Sequence, residues 1–304
     1  MYIQTVQGWK EADELGKTYC HEHLQLDLSG QKQDPDTNFD DLEAVIAECS
    51  RLADRGLGAL VEVTNRGMGR NVAAMQRVSS ETGIHVIAST GFYKEPYLPD
   101  YFYTETEAAL VRMLLTDILE GMDGTGVRAH VIGEVGTSRD QITDEERRLF
   151  RVAAAAHCET GHPVYTHTTL GTMALEQLAL LKERGVDLTR VAIGHLDLAC
   201  DREYHLRIAD QGCFLAFDTI GKLNYERDEA RAEHLRALFD RGHGGQILLS
   251  QDVTRKSHLE KNGGIGYSYL LDKFVPLLQE YRFTDSDLEQ VLVTNPGKFL
   301  AVSR

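Results

Sequence analysis

Eight short apolar runs, rich in β-branched residues, alternate with longer helical patterns along this 304-residue chain. The strand candidates are 17–23, 57–64, 84–90, 128–135, 163–167, 191–195, 213–218 and 246–252. Helical periodicity fills the gaps at 40–55, 70–82, 104–121, 143–160, 171–184, 202–211, 226–241 and 267–281. Residues 284–302 read as one or two closing helices. Thr143 and Glu146 form a capping box at the start of one helical pattern. Gly56, Gly83, Gly161, Gly185, Gly212 and Gly242 each follow a helical run, where a left-handed cap is wanted. Eight βα units in succession point to an α/β fold, the (β/α)8 TIM barrel, rather than an open sheet. No low-complexity stretch or linker divides the chain, so residues 1–304 read as a single domain. In such barrels the chemistry sits at the C-terminal ends of the strands, so candidate functional residues should cluster there.

Bulk composition narrows the classes. Apolar content of 42% and charged content of 26% suit a globular protein in water. A net charge of −15 disfavours a general nucleic-acid binder, which needs a basic surface to neutralise phosphates. Five scattered cysteines, Cys20, Cys49, Cys158, Cys200 and Cys213, show no CxxC spacing and suit reduced thiols. The N-terminus lacks a basic region followed by an apolar one, and no apolar run approaches a membrane span. The expectation is a cytoplasmic protein with no membrane partner.

The strand ends carry the chemistry. Tyr19-Cys20-His21-Glu22-His23 closes the first strand, and alternation puts both imidazoles on one face about 7 Å apart. Glu134 lies near the end of the fourth strand, His167 at the end of the fifth, His195 at the end of the sixth and Asp252 at the end of the eighth. A lone histidine at a strand end is more often a hydrogen-bonded polar residue than a ligand. Six N/O donors at the mouth ends of five strands are hard to assign to coincidence. One metal needs four to six ligands; six protein ligands with a shared carboxylate suit two metals about 3.5–4 Å apart. Imidazole with carboxylate suits Zn²⁺, with Mn²⁺, Co²⁺ or Fe²⁺ as alternatives. Glu134 is the candidate bridge. A paired-dication centre supplies hydroxide at neutral pH. His130 shares a strand face with Glu134 but lies deeper and reads as core.

With those residues in place, nearly the whole chain resembles the phosphotriesterase family of the amidohydrolase superfamily, and within it the branch of phosphotriesterase homology proteins. The resemblance rests on His21-Glu22-His23-Leu24, Gly133-Glu134-Val135-Gly136-Thr137-Ser138, Thr166-His167-Thr168 and Gly194-His195-Leu196-Asp197. It continues through Phe217-Asp218-Thr219-Ile220-Gly221-Lys222, Gln251-Asp252-Val253-Thr254-Arg255 and Asn262-Gly263-Gly264. It implies that His21, His23 and Asp252 hold the buried metal, His167 and His195 the exposed one, and that Glu134 bridges. It implies that Asp252 accepts the proton of the attacking water, and that a homodimer is possible. Two departures stand out. Glu134 replaces the carbamylated lysine of the phosphotriesterases proper, and Thr219 stands where their proton relay has a histidine. Organophosphate hydrolysis is therefore discounted as the native activity.

Lys222 follows the seventh strand, and Arg255 and His258 follow the eighth, where barrels often bind phosphate. Either they form a basic pocket for an anionic small-molecule substrate, or they pair with loop carboxylates such as Glu226 or Asp228. Tyr93 is a candidate substrate wall, and Asp197 is a candidate to orient a ligand histidine or a water. The leading expectation is a metal-dependent hydrolase of a sugar lactone, phosphorylated at its far end. The alternatives are a phosphodiester or phosphonate monoester hydrolase, a promiscuous phosphotriesterase, and a metal-binding protein without turnover.

Overall fold

The computed structural model describes residues 1–199 and 201–303; the reduced-thiol expectation for Cys200 lies outside them. Eight parallel strands form one sheet in chain order. They are β1 (Lys17–Glu22), β2 (Leu57–Glu62), β3 (His85–Thr90), β4 (Val131–Thr137), β5 (Val164–Thr168), β6 (Val191–Gly194), β7 (Phe214–Phe217) and β8 (Ile247–Leu249). Helices α1 (Leu42–Asp54), α2 (Val72–Thr82), α3 (Glu107–Leu119), α4 (Asp144–Thr160), α5 (Ala174–Glu183), α6 (Arg202–Ala209) and α7 (Asp228–Asp240) make the crossovers. After β8 the chain enters a π-helical turn, Leu270–Phe274, and continues as α8 (Val275–Glu280). The architecture is the (β/α)8 barrel. Among the described residues no helix is long and apolar enough to cross a membrane. Cys20, Cys49, Cys158 and Cys213 are free thiols.

Local sequence explains the boundaries. Thr143 and Glu146 make a reciprocal capping box on α4, which Gly161 ends in a left-handed conformation. The inner wall is a cluster of Cys20, Ala59, Val61, Ile87, Val131, Tyr165, Ala192, Ala216 and Leu248, in which small residues let larger ones fill the barrel. Burying a Val or Leu side chain contributes about 1.5–3 kcal/mol, so these layers fix the strands that carry the mouth.

The barrel closes by side chains where the ladder stops. Among the described residues no backbone ladder joins β8 to β1. Instead His21 N donates to Ser250 Oγ at 3.1 Å, and Ser250 Oγ lies 2.7 Å from His21 O and 2.8 Å from Glu22 Oε1. Gln251 N and Val253 N donate to the two Glu22 oxygens at 2.8 and 3.1 Å. Glu22, pointing away from its two histidine neighbours, thus ties the segment on both sides of Asp252 to the segment that bears His21 and His23.

Candidate active site

Two irregularities aim the side chains. The β1–β2 register shifts between Tyr19 and Glu22, around His21, and the β4–β5 register shifts between Ile132 and Val135, around Glu134. An extra residue in a strand bends it and redirects a side chain. Gly133 makes the second one possible: its φ is +155°, and a Cβ there would collide with the Tyr165 carbonyl. His195 and Asp252 adopt left-handed backbone, with φ of 60° and 54°. Such non-glycine conformations cost of order 1–3 kcal/mol and gather at functional sites.

The six donors predicted from strand ends meet in one place. Glu134 Oε1 lies 2.5 Å from His167 Nδ1, 3.2 Å from His195 Nε2 and 3.9 Å from His21 Nε2, while Oε2 lies 3.9 Å from His23 Nε2. Asp252 Oδ1 stands 3.3 Å from both His21 Nε2 and His23 Nε2. The donor atoms of His21, His23 and Asp252 fall within 4.8 Å of one another, as do those of Glu134, His167 and His195. Glu134 therefore lies between two three-residue groups.

The donor set fits divalent cations. Neither ring nitrogen of the fully buried His21 makes a well-aligned hydrogen bond among the described residues; its nearest neighbours are the Asp218 and Asp252 carboxylates at 3.4 and 3.3 Å. A buried polar group left unpaired costs about 1–3 kcal/mol, which a cation at Nε2 would offset. Charge argues the same way. Burial favours neutral carboxyls, yet His167 and His21 hold Glu134 well below its ordinary value, and Lys222, His21 and His23 do the same for Asp252. Burial likewise opposes a charged His195, but the Asp218 and Glu134 carboxylates push it well above the usual imidazole range. Without cations, Lys222 and the raised His21 and His195 face this buried negative charge, while burial and the neighbouring His195 push His167 down to about 4.

Supporting residues fix the rings. Asp218 Oδ1 accepts from His195 Nδ1 at 2.7 Å and from its backbone N at 2.8 Å, and Oδ2 lies 3.4 Å from His21 Nδ1. Tyr165 OH donates to Asp218 Oδ2 at 2.7 Å. One carboxylate thus orients a histidine from each group. His23 Nδ1 meets Thr64 Oγ1 at 2.7 Å. Sequence reasoning misses Thr64, and it marks Asp218 only as the neighbour of Thr219. The one available signal is its position just past a strand end. Asp197, expected to orient a histidine or a water, accepts from Arg231 Nε at 2.9 Å and from Thr219 Oγ1 at 2.6 Å. Arg231 is fully buried and also donates to Asp228 at 2.8 Å, so this network anchors the loop that presents Lys222.

Lys222, Arg255, His258 and Tyr93 all line a cavity of about 540 Å³ over Glu134 and Asp252. The three basic residues are not three free cations. Lys222 donates to Asp252 Oδ2. Arg255 donates to Asp34 Oδ2 at 2.5 Å, with Asp36 at 3.7 Å. Burial, with Lys222 nearby, pushes His258 down to about 4, so it is neutral at pH 7. Pairing with carboxylates occurs, though not with Glu226 or Asp228. Tyr93 is buried, its hydroxyl 3.3 Å from His167 Nε2. Lys32 and Lys94, which no sequence motif marks, line the same cavity.

Comparison with known proteins gives a consistent set of relatives. The model of the Phosphotriesterase family matches residues 1–300. A phosphotriesterase homology protein of Escherichia coli is 45% identical, over 94% of this chain and 98% of its own. A crystal structure of the phosphotriesterase homology protein from Escherichia coli, complexed with phosphate in the active site, matches with a TM-score of 0.93 at 44% identity, covering 95% of this chain and 100% of that one. An N-acetyltaurine hydrolase of Danio rerio is 31% identical over 98% of this chain and 97% of its own. A lactonase from Listeria monocytogenes matches with a TM-score of 0.95 at 30% identity, covering both chains in full.

Proposed function

The chain belongs to the phosphotriesterase family and is a metal-dependent hydrolase, and from that premise we propose that it opens the ester carbonyl of a sugar lactone that carries an acidic group. In this reading His21, His23 and Asp252 hold one cation, His167 and His195 a second, and Glu134 bridges them, with Zn²⁺ the first choice and Mn²⁺, Co²⁺ or Fe²⁺ alternatives. When bound, such a pair polarises a carbonyl and lowers the pKa of water towards neutrality.

The chain's own groups do the rest. Asp252 divides its oxygens: Oδ1 faces His21 and His23, and Oδ2 faces Lys222. Lys222 keeps this carboxylate ionised, ready to accept the proton that the attacking water loses. Tyr93 carries the carbonyl reading. Burial, together with the Glu134 charge, holds its phenol well above 10, so it remains a neutral donor beside His167. A neutral donor suits an oxygen that gains a single negative charge. Thr219, tied to Asp197, offers no substitute for a relay histidine, which argues against a phosphotriester as the native substrate. The Listeria lactonase supports the ester reading. A second reading, cleavage of an N-acyl amide, is favoured by the N-acetyltaurine hydrolase relative.

Zinc- or manganese-loaded protein should be offered aldono-lactones with and without a terminal phosphate, an N-acyl amino sulfonate, a phosphonate monoester and a phosphotriester. The expected outcome is a kcat/KM at least about tenfold higher for acidic lactones than for any phosphorus ester, a difference of about 1.4 kcal/mol in transition-state binding. Turnover of the amide alone would favour the second reading. Turnover confined to phosphorus esters would overturn both.

A further inference from the structure

Two lysines at the mouth, the exposed Lys32 and the half-buried Lys94, have no ion-pair partner among the described residues. Lys32 lies in the short helical turn Ser29–Lys32 between β1 and α1, and Lys94 in the loop after β3. Their ammonium groups stand 5.8 and 5.4 Å from the centre of the same ring, that of Tyr97. Lys94 also lies 5.5 Å from the centre of the Tyr93 ring. Among the described residues neither lysine has a carboxylate within ion-pairing distance. Lys94 donates only weakly, to the Glu95 carbonyl at 3.3 Å. The other two cations lining the cavity do have partners, Lys222 in Asp252 and Arg255 in Asp34.

A contact with an aromatic face stabilises an ammonium group by about 0.5–2 kcal/mol, less than a buried carboxylate would. Partial removal from water pulls both lysines below their ordinary value, and Arg255 adds repulsion at Lys32; the more distant carboxylates, Asp252 and Glu134 for Lys32 and Glu146 and Glu134 for Lys94, offset this only in part. An anion bound in this cavity against either ammonium group would supply the close counter-charge that neither has.

We propose that Lys32 and Lys94, with Tyr97 as floor, form the subsite for the acidic head group of the substrate: a carboxylate, sulfonate or phosphate. The proposal rests on reading this mouth as the hydrolytic site. Tyr93 connects the two places. Its ring lies under Lys94, its centre is 4.8 Å from the centre of His167, and its hydroxyl meets that histidine. A head group held by Lys94 is therefore one phenol ring away from His167, which selects an acid long enough to span that ring. The loops after β1 and β3 would then choose the substrate, while Lys222 after β7 serves Asp252 and Arg255 after β8 fastens the Asp34 loop.

The test reads binding without turnover. Metal-loaded protein is reductively methylated in the presence of butyrate, 1-butanesulfonate, butyl phosphate or the neutral control 1-butanol, and each lysine is quantified by mass spectrometry. At least one acid should slow modification of Lys32 and Lys94 about fivefold or more, and 1-butanol should not; the best protector identifies the head group. By calorimetry, Lys32→Met/Lys94→Met should weaken that acid at least tenfold, each single variant less, and Arg255→Met under threefold. Lys32 ends a single helical turn and Lys94 lies on a loop, and a thermal melt checks that each variant is folded. Equal binding by the double variant, protection of Lys222 alone, or no binding of any acid would overturn the subsite. If the acids protect these lysines but only phosphorus esters are turned over, the lactone reading falls and the subsite stands.

Discussion

Buried histidines occupy both ends of this barrel, in opposite electrical surroundings. At the N-terminal end, His130 Nδ1 accepts from Gln4 N at 3.3 Å and Nε2 meets Leu300 O at 2.6 Å, while His157 Nδ1 meets His162 O at 2.7 Å. The partners are backbone groups. Burial, with His162 beside it, pushes His130 down to about 3, and burial pushes His162 down to about 4. At the C-terminal end, His21, His167 and His195 face Glu134, Asp218 or Asp252; the carboxylates push His21 and His195 up against burial, while burial and His195 still push His167 down to about 4. Three buried carboxylates turn the second cluster into a cation trap, and their absence leaves the first as neutral packing. Glu62, at the end of β2, shows the converse. It is a buried carboxyl with no ion-paired histidine among the described residues, and burial pushes it up to about 8. Neither histidine count nor carboxylate count marks a site; their pairing does.

The contrast can be broken by substitution. The largest effect is expected from Asp252→Asn, which keeps the shape but removes the proton acceptor. With metals supplied, kcat should fall about 10²- to 10⁴-fold in steady-state assays. A fall under tenfold would assign the proton to another group. Asp218→Asn should come next. It loses the carboxylate that orients His195 and His21, and metal affinity by competitive chelator titration should drop about 10- to 100-fold. An unchanged affinity would make Asp218 a packing residue.

At the other end, His130→Phe should leave metal content and kcat unchanged while costing about 1–3 kcal/mol in urea unfolding, since Gln4 N–H and Leu300 C=O lose their partner. It should also flatten the acid limb of the stability curve. A histidine whose folded pKa is depressed contributes stability above its unfolded value near 6.5, and loses it as pH falls towards about 3. Each such group supplies up to about 1.4 kcal/mol per pH unit in that window. A His130→Phe variant that loses bound metal would erase the distinction between the two ends.

The alternation of apolar runs makes the eight strands and the mouth positions of His21, His23, Glu134, His167, His195 and Asp252 legible in the sequence alone. The fourth strand, expected at 128–135, runs Val131–Thr137. A period-two pattern cannot register the irregularity at Gly133-Glu134. The last helical pattern, 284–302, is a helix interrupted by the π turn Gln290–Thr294, which periodicity also hides. The charge state of the mouth is not legible in the same way. Asp34 is 221 residues from Arg255, and the contact that neutralises it exists only after folding. Burial of His258, which removes its charge, likewise depends on the fold. Lys32, in a single helical turn, and Lys94, on a loop, belong to no motif, and only the closeness of both to Tyr97 singles them out.

The most direct measurement is the metal-to-chain ratio of dialysed protein, determined by elemental mass spectrometry for the wild type and for Glu134→Gln. Glu134 lies within 3.9 Å of all four mouth histidines, so its loss should release the pair. The account predicts about two divalent ions per wild-type chain, as a paired centre requires, and one or none in the variant. A ratio of one in the wild type, or two in both proteins, would contradict a bridging carboxylate and the two-cation centre built on it.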